Sequence, residues 1–468
     1  MEANETKERK LLTVGLPKNF IWGAAAASYQ IEGAATEAGK GLSVWDTFSH
    51  TEGKVKNGDH GDIACDHYHR FKEDIARMKE LGLQAYRFSI SWPRILTEGK
   101  GKVNPEGLAF YSRLVDELLS AGIEPYITLF HWDLPQTLYD LGGWSNRDIT
   151  DWFADYVRVV VEALSDRVTN WMTVNEPQCH IILGHYDGSH APGARVSLRE
   201  AFTMMHHMHL AHGKAVKMIR SHAKKTPLIS YVPNPGPGVP LTSSAEDLEA
   251  ARAFTFSAAG GGLWSNTWWL DPVLTGAYPQ DGLDFYKEDF PTDIIKDGDM
   301  ELISQPLDYL GINLYQGTVV TKDPSRELGF AVVPRKTGFD KTALKWLVHP
   351  EIMYYVPKFL YERYHLPIII AENGLSMPDW VSLDGKVHDP GRIDFMHRYL
   401  KELLKASSEG VDIRGFFYWS VMDNFEWAEG YNERFGLIHV DYETQKRTLK
   451  DSAYWYSNVI KTNGQSLE

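Results

Sequence analysis

Eight short apolar segments alternate with amphipathic stretches along the chain, and this alternation restricts the possible folds more than any other feature. The strand-like segments are FIWGAAAASYQ (20–30), AYRFSISW (85–92), EPYITLFHW (124–132), NWMTVNE (170–176), LISYVPN (228–234), LDYLGINLY (307–315), PIIIAEN (367–373) and IRGFFYWSVM (413–422). Runs such as Ile368-Ile369-Ile370 suit strands buried on both faces. Between the segments the apolar period becomes helical. Phe71, Ile75, Met78 and Leu81 recur ahead of Gly82, and Leu108, Tyr111, Leu114, Val115 and Leu118 recur ahead of Gly122. Strands that alternate with helices pair in parallel, and eight of them predict an α/β fold, a single (β/α)8 TIM barrel. The alternative, a doubly wound open sheet, lacks the glycine-rich turn expected after its first strand. Gly260-Gly261-Gly262 and the proline-rich VPNPGPGVP (232–240) read as loops, the latter at the barrel mouth. No repeat, low-complexity tract or linker interrupts the pattern. One barrel domain over 17–468 is therefore expected, preceded by a flexible N-terminal segment, 1–16.

Composition narrows the partners. A net charge of −14 leaves no basic excess to neutralise phosphates, which argues against nucleic acid. The two cysteines, Cys65 and Cys179, make no disulfide framework and fit a reducing compartment. MEANETKERKLL lacks the apolar core of a signal peptide, and no run of about 18 apolar residues offers a membrane span. A cytoplasmic protein with no membrane partner is expected, and self-association into a homo-oligomer is left open. The 12% aromatic content, with 15 Trp, suits ring-lined surfaces for sugars or other flat ligands.

In TIM barrels the C-terminal strand ends build the active site. The polar residues there are Gln30, Arg87, His131, Asn175, Glu176, Asn313, Tyr315 and Glu372, with Trp419; the fifth strand offers only Asn234. Taken alone, Glu372 reads as the first solvated residue of a loop. Across a barrel mouth from Glu176 it becomes half of a carboxylate pair that can cleave a glycosidic bond, one as acid and the other as nucleophile or base. Metal binding by the pair is the alternative. Against it, only His131 stands by as a nitrogen ligand, and neither HExxH nor a Cys/His cluster is present, so no metal and no other cofactor is expected. Arg87 either pairs outward with a helix or turns inward, where it favours the ionised form of a nearby carboxylate. Tyr315, two residues from Asn313, faces the same side and can hold that carboxylate. The other glutamate then needs a raised pKa. These residues alone do not say which glutamate is which. His206, His209 and His212 share a helical face but bring no further ligand. Cys179 reads as packed, and Asp62, Asp66 and His67 as capping and surface charge.

The chain resembles glycoside hydrolase family 1, a family of retaining β-glucosidase-type enzymes. The likeness runs from about residue 17 to about 460 through NFIWGAAAASYQIEGA, RFSISWPRI, LFHWDLPQ, TVNEPQC, GINLY, IIIAENG and YWSVMDNFEWAEGYNERFGLIHVD. It implies that Glu176 is the general acid/base and Glu372 the nucleophile, positioned and lowered in pKa by Arg87 and Tyr315. It further implies that Gln30, His131, Trp132, Asn175, Asn313, Glu426, Trp427 and Phe435 bind the non-reducing sugar, with Trp419 as its platform and Trp346 on the aglycone side. Retention implies carboxyl groups roughly 5–5.5 Å apart. The implied substrates are β-glucosides and short β-linked oligosaccharides such as cellobiose, with some galactoside or fucoside activity. Relatives that cleave 6-phosphorylated sugars carry a Ser and a basic residue where this chain has Glu426-Trp427, and a carboxylate there repels phosphate. A 6-phospho-β-glucosidase and a non-catalytic sugar-binding barrel are the alternatives. Gln178, where many members have Trp, leaves the aglycone subsite open.

Overall fold

A computed structural model describes residues 16–467. Eight strands form one parallel sheet: β1 Ile21–Ala25, β2 Ala85–Ser89, β3 Glu124–Phe130, β4 Asn170–Asn175, β5 Leu228–Val232, β6 Leu310–Asn313, β7 Ile368–Asn373 and β8 Ile413–Trp419. They lie in the spatial order β5-β4-β3-β2-β1-β8-β7-β6. The seam between β5 and β6 is closed by backbone bonds from Asp308 N to Ile229 O and from Asn313 N to Pro233 O, each 3.0 Å. Between these, Gly311 N donates 2.8 Å to the Ser230 hydroxyl. The expected TIM barrel is the fold.

Each strand alternates between two environments. Ala25, Ala85, Tyr126, Met172, Val232, Ile369, Phe417 and Trp419 gather inside the barrel. Trp22, Tyr86, Ile127, Trp171, Ile229, Ile312, Ile368 and Ile370 face the surrounding helices. The lumen is full, which explains the small residues of β1. A Cβ on Gly23 would stand 2.6 Å from the Phe417 ring.

The outer ring comprises α1 His67–Leu81, α2 Pro105–Ala121, α3 Ile149–Leu164, α4 Leu198–His222, α5 Asn266–Thr275, α6 Ile352–Tyr364, α7 Pro390–Ser408 and α8 Asp451–Lys461. On α1, Phe71, Ile75, Met78 and Leu81 are all buried, each contributing about 1.5–3 kcal/mol. Gly82 and Gly122 end α1 and α2 in the left-handed conformation, φ 75° and 79°.

Three local readings change. VPNPGPGVP is not all loop: Gly238–Pro240 pairs with Thr318–Lys322, which pairs with Phe330–Val332 in a small sheet over the mouth. Pairing between segments some eighty residues apart leaves no local periodicity to read. His67 is not surface charge; it is buried with Asp74 at 2.7 Å, and Asp74 also holds Arg447. Asp66 makes no side-chain cap but bonds His69 and Arg70. The histidines of α4 meet protein groups: His206 bonds Tyr278 and Asp299, and His212 bonds Thr173. The expected N-terminal segment lies outside the described residues except for Leu16, which is buried. Among the described residues no helix is long and apolar enough to cross a membrane.

Candidate active site

Arg87 organises the floor of the barrel mouth. It points inward from β2 and is 1% exposed. A guanidinium in such a place must have its donors satisfied. Nε donates to Thr128 Oγ1 at 3.1 Å and to Met172 Sδ at 3.1 Å. Nη1 donates to Ala371 O and, at 2.5 Å, to Glu372 Oε1, while Nη2 donates to Asn175 Oδ1 at 2.6 Å. Tyr315, just past the end of β6, donates its hydroxyl to Glu372 Oε2 at 2.7 Å. Glu372 therefore has a cation on one oxygen and a phenol on the other.

A slip in the strand ladder brings Glu372 to this position. Ile369 faces the lumen, so strict alternation would turn Glu372 outward. Between Ile370 and Glu372, however, β7 advances two residues while β6 advances one, from Ile312 to Asn313. Glu372 thus comes level with Asn313 and shares its inward orientation. A similar slip occurs in β4, where three residues from Met172 to Asn175 oppose two from Ser230 to Val232. Bulge-like irregularities of this kind commonly re-aim a side chain beside an active site. Main-chain bonds then fix both positions: Glu176 N donates to Val232 O at 2.7 Å, and Leu314 N donates to Glu372 O at 2.9 Å.

Glu176 has a different set of neighbours. Its Oε1 accepts from Asn313 Nδ2 at 2.8 Å and from Asn234 Nδ2 at 3.0 Å, with no cation in contact. Burial, followed by the charge of Glu372, pushes Glu176 up to about 7. Burial also lifts Glu372, but Arg87 and Tyr315 both pull it back. The net direction at Glu372 is upward, so the expectation of a lowered pKa describes only what those two neighbours contribute. Within the pair, the proton belongs on Glu176, which lacks the guanidinium.

A polar and aromatic wall lies to one side of this pair. Gln30 is buried; its amide nitrogen donates to Asn424 Oδ1 and Phe425 O, leaving Oε1 without a protein partner. His131 Nε2 accepts from Asn175 Nδ2 at 3.1 Å, so the ring hydrogen sits on Nδ1. Burial and then Arg87 keep this imidazole neutral. Trp419 stacks on His131 at 5.8 Å, and Trp427 stacks on Trp132 at 4.8 Å. Glu426 has a buried oxygen without a partner, and burial with the neighbouring carboxylates pushes it up to about 8. Two residues expected at the sugar give their N–H hydrogens to protein groups, although Asn313 Oδ1 has no protein partner. Both amide hydrogens of Asn313 go to Asn175 and Glu176, and the Trp132 indole N–H goes to Asn175 O. Trp132, Glu176 and Trp427 all have positive φ, at 78°, 39° and 47°. Backbone strain of about 1–3 kcal/mol per residue of this kind tends to concentrate at functional sites.

On the opposite side Trp346 packs against Tyr315 at 5.1 Å and Phe435 at 6.0 Å. It borders a groove of about 1360 Å³ that Cys179, Asn234, Trp264, Phe254 and Phe330 also line. Gln178 does not reach this groove. It is buried and donates to Asn234 O at 2.8 Å, while Cys179, itself buried, is the one of the two that lines the groove. Thr128 and Met172, which support Arg87, carry no sign of that role in the sequence, whereas Asn234 stands out there as the polar residue at the end of the fifth strand.

Residues 13–465 match the model of Glycosyl hydrolase family 1. Beta-glucosidase A of Thermotoga maritima is 49% identical over 449 residues, covering 96% of this chain and 98% of that protein. Beta-glucosidase A of Acetivibrio thermocellus is 47% identical over 460 residues, covering 96% and 99%. The solved structure of the beta-glucosidase from Thermotoga maritima in complex with deoxynojirimycin superposes with a TM-score of 0.88 at 48% identity, covering 96% of this chain and 99% of that one. With a carboxylate pair at the mouth of an eight-stranded barrel and likeness over nearly its whole length, the chain belongs to glycosyl hydrolase family 1 and is an enzyme of that family.

Proposed function

We propose that the protein is a retaining exo-β-glycosidase, a β-glucosidase that releases terminal non-reducing β-D-glucosyl residues by double displacement. The observation that carries this reading is the asymmetry of the two buried glutamates: Glu372 between Arg87 and Tyr315, Glu176 between two amides. In the first step a Glu372 oxygen forms a bond to the anomeric carbon as the glycosidic C–O bond breaks. Glu176 delivers its proton to the departing oxygen. In the second step Glu176, now ionised, takes a proton from water, whose oxygen displaces Glu372 from the same carbon. Each displacement inverts the anomeric centre, so the β-configuration is retained.

Arg87 and Tyr315 hold Glu372 ionised and aimed. Gln30 Oε1, His131 Nδ1–H, the remaining Asn175 amide hydrogen, Glu426 and the Trp427 indole are assigned to the sugar hydroxyls, over the Trp419 face. Trp346 and Phe435 flank the passage to the aglycone groove. Glu426 gives no counter-charge for a phosphate, which favours an unphosphorylated glucoside, and the same contacts tolerate β-galactosides and β-fucosides at lower rates. Short oligosaccharides such as cellobiose are the proposed natural class.

The test follows nitrophenyl β-glucoside and its 6-phosphate in parallel, with the product anomer read by proton NMR before mutarotation. The expected result is hydrolysis of the plain glucoside with β-glucose appearing first. α-Glucose appearing first, or preference for the 6-phosphate, overturns the reading.

A further inference from the structure

His50, His60 and Asp62 converge in the segment between β1 and α1. Among the described residues they are the one group of three His, Cys, Asp or Glu side chains whose ligand atoms all lie within 4.8 Å of one another. His50 Nε2 stands 3.2 Å from Asp62 Oδ2, and His60 Nδ1 stands 3.4 Å from the same oxygen. Ligands about 2.0–2.1 Å from a zinc ion stand roughly 3.3–3.4 Å apart along the edges of a tetrahedron. The second nitrogen of His50, Nδ1, lies 2.7 Å from the Asp46 carbonyl oxygen. That oxygen can only accept, so Nδ1 carries the hydrogen and Nε2 is turned toward Asp62. A backbone carbonyl behind the ring is a common means of orienting a metal-binding histidine. The three side chains are 50%, 44% and 38% exposed, which leaves room for water to complete the shell.

We propose that His50, His60 and Asp62 bind one divalent transition-metal ion of the zinc class, and that the ion braces the segment carrying Glu426 and Trp427. His50 ends the helix Val44–Ser49, whose Trp45 packs on Trp427 at 4.4 Å. His60 belongs to a strip laid against residues 429–432. Its carbonyl accepts from Tyr431 Oη at 2.8 Å, Asp59 accepts from Tyr431 N at 2.9 Å, and Lys56 pairs with Glu429. Gly430, at φ 62°, lies so close to Asp59 that a Cβ would stand 2.3 Å from its carboxylate. An ion joining His50 to His60 therefore ties together the two supports of Trp427. This goes beyond the glycosidase reading, and binding can be measured without it.

The competing account is a plain ion pair between protonated His50 and Asp62. Chelator-treated, tag-free protein is titrated with zinc chloride near pH 7.5 by calorimetry. One saturable equivalent per chain is expected, with His60→Ala and Asp62→Asn each losing at least about tenfold in affinity. Saturating zinc raises the thermal midpoint of the wild type by about 2–4 °C and leaves that of His60→Ala unmoved. Metal-free His60→Ala keeps the wild-type thermal midpoint, which shows that it folds. No saturable equivalent, or binding unchanged in both variants, overturns the proposal in favour of the ion pair. Half an equivalent per chain overturns the single-chain site.

Discussion

The ends of β4 and β7 present the same functional group in two surroundings. Each carries a glutamate after a slipped ladder, each is buried, and each is pinned through its main chain to a neighbouring strand. They differ in what touches the carboxyl oxygens. Glu372 receives a guanidinium and a phenol, whereas Glu176 receives two neutral amides. Burial raises both, but only one is given a cation to offset the cost of its charge. The division of labour between two identical residues is thus set by their neighbours.

Removing the charged partner altogether is the harshest test of that contrast. Glu372→Gln is expected to lower the rate on nitrophenyl β-glucoside by at least about 10⁴-fold, because no first bond to the sugar can form. A rate within tenfold of wild type, in protein free of contaminating wild type, would break the assignment. Glu176→Ala should separate substrates by leaving group. Cellobiose loses about 10²–10⁴-fold, the usual worth of general acid catalysis, while the first step on a dinitrophenyl glucoside is nearly spared. Equal losses on both would reverse the two roles.

Tyr315→Phe probes one neighbour of Glu372. Losing a hydrogen bond to a charged group is expected to lower kcat/KM by about 10–100-fold, without moving the basic limb of the pH profile. That basic limb belongs to Glu176, which must hold its proton to act as an acid. Activity is therefore present below and lost as pH rises through its raised value of about 7. Asn234→Ala removes a donor that favours the ionised form of Glu176, so its pKa rises further and the limb moves up by about 0.5–1 pH unit. A downward shift would mean that Asn234 stabilises the protonated carboxyl instead.

Much of this contrast was legible in the sequence. The eight segments gave the barrel, and the polar strand ends gave Glu176, Glu372, Arg87 and Tyr315. Which glutamate is the acid and which the nucleophile came only from the family resemblance, as did the assignment of Glu426 and Trp427, since a carboxylate beside an indole has no periodicity of its own. The orientation of Glu372 was hidden, because counting by twos from Ile369 turns it away from Arg87. Asn313 and Trp132 look like free donors in one dimension, and only the packed site shows their hydrogens already committed to Asn175 and Glu176. His67 misled for a similar reason. Its partner Asp74 is near in sequence, but Arg447, which makes the cluster a buried one, is nearly the whole chain away.

The slipped ladder of β7 also bears on how such a chain can change over generations. Exchanging one isoleucine for another aliphatic residue in Ile368–Ile370 alters volume and little else. Deleting a single codon at Ala371 would remove the extra residue of the slip, leaving the carboxylate two places after Ile369 and level with Asn313, so that plain alternation alone would face it into the lumen. A loss of length in this short span is therefore absorbed by the slip without changing the face of the carboxylate, while substitutions beside it are graded by volume.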